Sequence, residues 1–178
     1  MTNPAPPQPR TWGVNEVEVA SYLNSVRDAL LFLANPPVCN AVQASIQSIP
    51  TGTGWTSLAL DSTAADPYGM HSNTTNNSRA TSQAAGYYMV FGASAFASNA
   101  TGWRGGRCAK NGSAIAGGAG EIGANGAGVT ALSGPPVITY LNVGDYVESQ
   151  GLQTSGGNLN TSVNNDADCS LTAVWVHA

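Results

Sequence analysis

The sequence predicts an all-β sandwich preceded by one short helix, and three observations carry that expectation. Short apolar runs with period-two alternation recur from residue 38 onward, separated by Gly, Asn, Ser and Pro clusters. Glycine reaches 21 residues, with many Ser and Thr, a composition that favours tight turns and short strands over helices. Apolar residues make up 42% of the chain and charged residues only 9%, so a core is available while the surface is covered by neutral polar side chains. At 178 residues the chain fits one domain with a short appendage.

The elements follow in order. Residues 1–14 form an arm, with Pro4, Pro6, Pro7 and Pro9 holding its start extended and without internal hydrogen bonds. Residues 15–37 carry the one convincing helix. Asn15 caps it, Glu18 three residues on completes a capping-box-like pair, and Pro36-Pro37 stops it. Val19, Leu23, Val26, Leu30 and Leu33 follow a 4,3,4,3 spacing, which is a heptad-like apolar seam. A helix of this length is marginal alone. Its seam packs either on the chain's own β domain or in a parallel bundle around a symmetry axis.

From Val38 the period becomes alternating, and residues 38–178 read as one domain. Strands are expected over 41–49, 55–60, 78–83, 86–97, 102–109, 113–120, 146–153 and 170–176. Residues 61–77 read as a polar stretch with a turn at Asp66-Pro67-Tyr68-Gly69. Asn111-Gly112 is a strong hairpin signal. Residues 119–128 are Gly-rich and read as a loop, and Pro135-Pro136 confines 129–141 to an edge or a bulge.

Composition also excludes function classes. The net charge is −4 and no basic run occurs, which argues against nucleic acid and against an anionic membrane surface. No stretch has the length to span a bilayer. The first ten residues lack an apolar signal-peptide core, so a cytoplasmic site of synthesis and assembly is expected. The five Asn-X-Ser/Thr sequons then read as by-products of a Ser/Thr/Asn-rich surface.

Chemistry is sparse. Cys39, Cys108 and Cys169 are an odd set without metal-type spacing and read as buried thiols, with a Cys39–Cys169 bridge between first and last strands as the alternative. His71 has Asp61 and Asp66 near in sequence but no nucleophile pattern such as Gly-x-Ser-x-Gly, and His177 sits beside the C-terminus. The carboxylates are scattered. Asn164-Asn165-Asp166-Ala167-Asp168 offers oxygen ligands but reads as a turn. The expectation is therefore no catalytic residue, no metal and no cofactor. Trp103-Arg104-Gly105-Gly106-Arg107 sets two arginines near an aromatic residue, either a solvated strand or a contact for carbohydrate or a partner.

Three pieces carry a family resemblance. Ala85-Gly86-Tyr87-Tyr88-Met89-Val90-Phe91, Leu141-Asn142-Val143-Gly144-Asp145-Tyr146-Val147 and the closing Leu171-Thr172-Ala173-Val174-Trp175-Val176 resemble strands of the C1q/TNF-like jelly roll over residues 38–178. The Phe-Ser-Gly usual before that family's last strand is replaced here by Asn164–Asp168. The start, Arg10-Thr11-Trp12-Gly13 through Leu23-Asn24-Ser25-Val26-Arg27-Asp28-Ala29-Leu30-Leu31, resembles that of small structural proteins of actinobacterial phages and prophages. Tyr68-Gly69-Met70-His71 resembles a recurrent loop of the same group.

These resemblances imply a homotrimeric, non-enzymatic virion protein, assembled in the bacterial host cytoplasm. Its residues 1–34, with Pro6, Pro7 and Trp12, would hold other phage structural proteins. Tyr68, His71, Trp103, Arg104 and Arg107 would be the outer contacts, facing a host surface glycan or protein. The N-terminal motif favours a minor tail or fibre position. The short chain without a shaft fits a head decoration protein instead. A glycan-cleaving virion enzyme is the remote alternative, and it lacks a carboxylate pair.

Overall fold

The computed structural model describes residues 20–178 apart from Thr53 and Asn165. The arm with Pro6, Pro7 and Trp12, the capping pair Asn15 and Glu18, and Val19 of the seam lie outside the described residues.

One helix and thirteen strands follow in chain order. They are α1 (Ala20–Ala34), β1 (Val38–Val42), β2 (Ser48–Ile49), β3 (Thr56–Ser57), β4 (Ser62–Ala65), β5 (Arg79–Thr81), β6 (Gly86–Phe96), β7 (Trp103–Lys110), β8 (Ser113–Gly123), β9 (Thr130–Ser133), β10 (Val137–Leu141), β11 (Tyr146–Gln153), β12 (Leu159–Asn160) and β13 (Ser170–His177). They form two facing antiparallel sheets. The six-stranded sheet runs β10-β6-β13-β1-β4, with β9 also on β6, and the five-stranded sheet runs β3-β11-β7-β8, with β5 also on β11. A short β12-β2 ribbon pairs separately and is tied to the end of β6, where the Ala97 N–H donates to the Asn160 carbonyl. First and last strands are neighbours, Val38 opposite Val174 and Val42 opposite Ser170.

The core lies between the sheets, and period-two alternation supplies it. Cys39 and Ala41 from β1, Tyr88 and Val90 from β6, Cys108 from β7, Val147 from β11, and Leu171, Ala173 and Trp175 from β13 all point inward and are buried. Gly86 explains one motif. A side chain there would run into the Trp175 indole and the His177 carbonyl, and its φ is +150°. Gly86→Val is therefore expected to cost about 3 kcal/mol through overpacking and backbone strain, read as a fall in the urea midpoint.

The Leu-x-x-Gly-Asp piece is a turn organised by one carboxylate. Asp145 accepts from the Asn142 N–H at 2.9 Å and from Asn111 Nδ2 at 2.8 Å, while Lys110 Nζ lies 3.0 Å away. Gly144 takes φ +89°. These donors, Asn111 foremost, hold the Asp145 carboxyl well below the usual carboxylate range. Because the folded state lowers this pKa, the stability it contributes is present above the ordinary value of 3.8 and is lost as pH falls through the lowered one. Asp145→Asn should lower the urea midpoint at pH 7, and the gap to the parent should close in acid below pH 3.

Three expectations change, and one alternative is excluded. Strand β8 runs to Gly123 through the glycines read as a loop, because β7 pairs with it from Trp103↔Gly123 to Lys110↔Ser113 and tertiary pairing overrides the weak propensity. The polar stretch contains a strand, β4, held by β1. The strand expected over 41–49 breaks at Val42, after which Ala44 and Ser45 N–H both donate to Asp61 Oδ1. Finally, Cys39 sits opposite Ala173, whereas Cys169 receives the Gln43 N–H on its carbonyl. They are thus four residues apart along the ladder, roughly 13 Å and beyond the reach of a disulfide.

All three thiols are free and buried, and burial pushes Cys39 up to about 12 and Cys108 and Cys169 to about 11. A thiol reagent at pH 8 should label none of them in the folded protein and all three in 6 M guanidinium.

Candidate assembly face

The two sheets differ in charge. No residue in the strands of the six-stranded sheet is Asp, Glu, Lys or Arg. Every charged residue on a strand, Arg79, Arg104, Arg107, Lys110, Glu121 and Glu148, belongs to the five-stranded sheet.

The outward face of the six-stranded sheet is also apolar. Strand β6 presents Tyr87, Met89 and Phe91 there, alternating with inward Tyr88 and Val90. The register sets Tyr140 beside Tyr87, Ile138 and Val174 beside Met89, and Thr172 beside Phe91. Val38 extends the Met89 row through Val174. Tyr87 packs edge-on against Tyr140 at 5.2 Å and tilts against His177 at 4.6 Å. Tyr87, Met89, Ile138, Tyr140 and Val176 are between 37% and 61% exposed. An antiparallel strand with one wet face should alternate apolar and polar residues. Tyr87-Tyr88-Met89-Val90-Phe91 is apolar on both faces, and that unbroken run is the sequence signal for a second covered face.

The helix continues the theme. Its last turn is docked. Phe32 is fully buried, packing edge-on against Trp175 at 4.8 Å and Tyr68 at 6.3 Å. It plugs the end of the sandwich where β1 begins and β13 ends. Leu23, Val26, Leu30 and Leu33 of the seam are instead 47–61% exposed. Of the two partners open to that seam, the chain's own β domain does not cover it.

The face of the five-stranded sheet that points away from the core is polar and organised. Glu148 is nearly buried there. It accepts from Ser78 Oγ at 2.7 Å and Ser57 Oγ at 3.2 Å, with Arg79 Nε at 3.5 Å. Arg79 lies 4.0 Å over the Tyr146 ring. Gln150 receives the Arg107 Nε–H at 2.8 Å, and the Arg107 guanidinium stacks 4.5 Å over Trp55. Trp55 in turn lies over Gly105.

No protein-family model matches the chain. No curated protein matches it in sequence. Solved structures do match in shape. Murine APRIL at pH 5.0 superposes with a TM-score of 0.60 at 12% identity, covering 79% of this chain and 98% of that one. The Eiger TNF structure from S. frugiperda gives 0.56 at 9% identity, covering 80% and 95%. The globular domain of zebrafish complement 1qA protein gives 0.54 at 14% identity, covering 79% and 97%. The chain has a C1q/TNF-like jelly-roll fold.

Within this jelly roll the side chains expected as outer contacts divide. Trp103 is 58% exposed on the outer face of the five-stranded sheet, and Arg107 is half-buried on the same face. Arg104 alternates to the inside and is fully buried. It donates to the Asn99, Thr101 and Trp103 carbonyls at 3.0–3.1 Å, so it fixes a loop rather than facing a partner. Tyr68 is also buried, its hydroxyl donating to the Asn35 carbonyl at 2.8 Å, because the turn that carries it folds under α1. His71 sits on that turn, with Thr63 Oγ1 at 2.8 Å and the Asn77 carbonyl at 3.1 Å from its ring nitrogens. Its backbone N–H donates to Asp66 Oδ2 at 2.8 Å. Sequence reading missed the Glu148 network and Trp55, whose partners come from segments up to about 90 positions apart.

Among the described residues, no group of three or more His, Cys, Asp or Glu is placed to hold a metal ion. Asn164 and Asp168 close their own loop, Asp168 Oδ1 accepting the Asn164 N–H and Asn164 Oδ1 the Ala167 N–H. No helix among the described residues is long and apolar enough to cross a membrane.

Proposed function

We propose that this chain is a non-enzymatic, homotrimeric knob of a phage particle, attached by residues 1–34 and tail-associated, where it meets the host surface. The observation that carries the assembly half is the ion-free outer face of the six-stranded sheet. Aromatic and aliphatic side chains left half-exposed in one contiguous sheet face mark a protein interface. Burying each of them returns roughly 1 kcal/mol, half the value for full burial of such a side chain. In a closed three-fold ring each subunit repeats the same heterologous contact, one surface meeting a different surface of the next copy. The exposed seam of Leu23, Val26, Leu30 and Leu33 is a second surface of the same kind, and a three-helix bundle is its natural cover.

The particle half rests on the resemblance of the N-terminal motif to small structural proteins of actinobacterial phages. Host attachment also explains the division of labour between the sheets: one neutral face for copies of itself, one polar face for something else. A head decoration protein is the second reading, favoured by the lack of a shaft between α1 and the jelly roll. A catalytic role has no support in the geometry, since His71 is engaged on both ring nitrogens and Glu148 is enclosed by Ser57, Ser78 and Arg79.

Gold-labelled antibody on intact particles from the source lysate separates these readings. Label along or at the tip of the tail is the expected result. Label over the head would replace the tail by the decoration reading, and particles without label would remove the virion reading.

A further inference from the structure

We infer that the outer face of the five-stranded sheet binds an acidic saccharide, with Trp103 as the stacking surface and the Arg107 guanidinium as the partner of the sugar's carboxylate. This deepens the host-contact reading but concerns the isolated protein, and it stands or falls separately from assembly.

Three features converge. First, Trp103 projects from β7 into solvent, on the same face as Gly105 and Arg107 by strand alternation. Its neighbour across the ladder on β8 is Gly123, where nothing lies within 4 Å of the position a side chain would take. The indole therefore stands over open ground, and a pyranose ring can lie against its apolar face.

Second, the guanidinium of Arg107 is oriented before any ligand arrives. Trp55 supports it from one side at 4.5 Å, and Gln150 Oε1 takes its Nε–H at 2.8 Å. Gln150 is itself fixed, donating through Nε2 to Ser57 Oγ at 3.3 Å, and Ser57 donates to Glu148. A guanidinium held by its Nε keeps its terminal N–H groups in a planar fork suited to a carboxylate.

Third, that charge is unspent. Arg27 pairs with Asp28, Arg79 with Glu148 and Lys110 with Asp145, and Arg104 is enclosed by carbonyls. Among the described residues no carboxylate pairs with Arg107.

The shape selects a saccharide over other anions. Arg107 and Trp103 are four residues apart on one strand, roughly 13 Å. The ground between them is Gly105 under Trp55, with Glu121 opposite Gly105 on β8 and exposed. An exposed aromatic plane at Trp103, a second one where Trp55 covers Gly105, the Arg107 cation beside it and an acceptor carboxylate fit an extended chain of hydroxylated rings. A single guanidinium beside Glu121 does not fit a polyphosphate backbone, which calls for many cations.

An array of oligosaccharides bearing uronate or sialate, with neutral oligosaccharides alongside, is the test. Binders are then titrated by tryptophan fluorescence against the parent, Trp103→Ala and Arg107→Gln. Both substituted side chains lie outside the core, and circular dichroism and sedimentation on the same samples report folding and assembly independently. The expected result is preference for acidic members, weakened at least tenfold by each substitution in a protein whose sedimentation is unchanged. Binding to no acidic member, equal binding to neutral members, or acidic binding that survives both substitutions would overturn the inference while leaving the assembly reading intact.

Discussion

Replacing Tyr87 and Met89 together with aspartate is expected to convert the proposed trimer into a folded monomer. Both side chains lie on the outward face of β6, so neither substitution opens the core. Two carboxylates at the centre of a sheet face without Lys or Arg would have to be desolvated in each of three copies, with only the His177 imidazole beside position 87. The loss of the apolar contact and the burial of unpaired charge act in the same direction. Sedimentation equilibrium should drop from three times the 18.1 kDa chain, about 54 kDa, to a single chain. Far-ultraviolet circular dichroism should keep its β signature. The converse pair on the helix, Leu23→Asp with Leu30→Asp, is expected to act more weakly, loosening the bundle ahead of the jelly roll while the sheet face still associates.

Phe32→Ala is the second large effect. Phe32 is the one residue of α1 that is fully buried, and its ring fills the space between Trp175 and Tyr68 at the end of the sandwich. Removing a buried aromatic ring costs about 3–5 kcal/mol in transfer and cavity terms together. Part of that loss falls on the helix. A 15-residue helix is marginal on its own. Urea unfolding should show the lower midpoint, and hydrogen exchange should show α1 amides losing protection ahead of β6 and β13. Equal loss of protection everywhere would mean that the helix and the jelly roll unfold as one unit.

The fold was largely legible in the sequence because its signals are local. Short runs bounded by Gly, Asn and Ser clusters at 86–97, 102–109, 146–153 and 170–176 became β6, β7, β11 and β13, long strands at the centre of the two sheets. Pro135-Pro136 marked the break between β9 and β10, both of which pair with β6 alone within their sheet. What escaped was set by tertiary pairing. Gly120 and Gly123 argue against a strand, yet β7 supplies a ladder for them, Gly106 opposite Gly120 and Trp103 opposite Gly123. Ser62–Ala65 has no alternation to read, and it is a strand only because β1 needs an outer neighbour.

The candidate surfaces were less legible, for the same reason. Trp103 and Arg107 stand out as an aromatic–cation cluster and do share one face. Arg104, between them, cannot, because neighbours on a strand point to opposite sides. Tyr68 looked like a loop residue and is a core residue, since the chain after α1 brings its turn beneath Phe32. The exposed row Tyr87, Met89, Ile138 and Tyr140 comes from two strands some fifty positions apart. Only the unbroken apolar run in β6 announces it.

Sedimentation equilibrium of the unmodified full-length chain, across a hundredfold range of concentration near neutral pH, tests the central claim most directly. A species of about 54 kDa that persists to the lowest concentration is the predicted result. A monomer of 18.1 kDa throughout would contradict the account, leaving the ion-free face of the six-stranded sheet to be covered by a different protein.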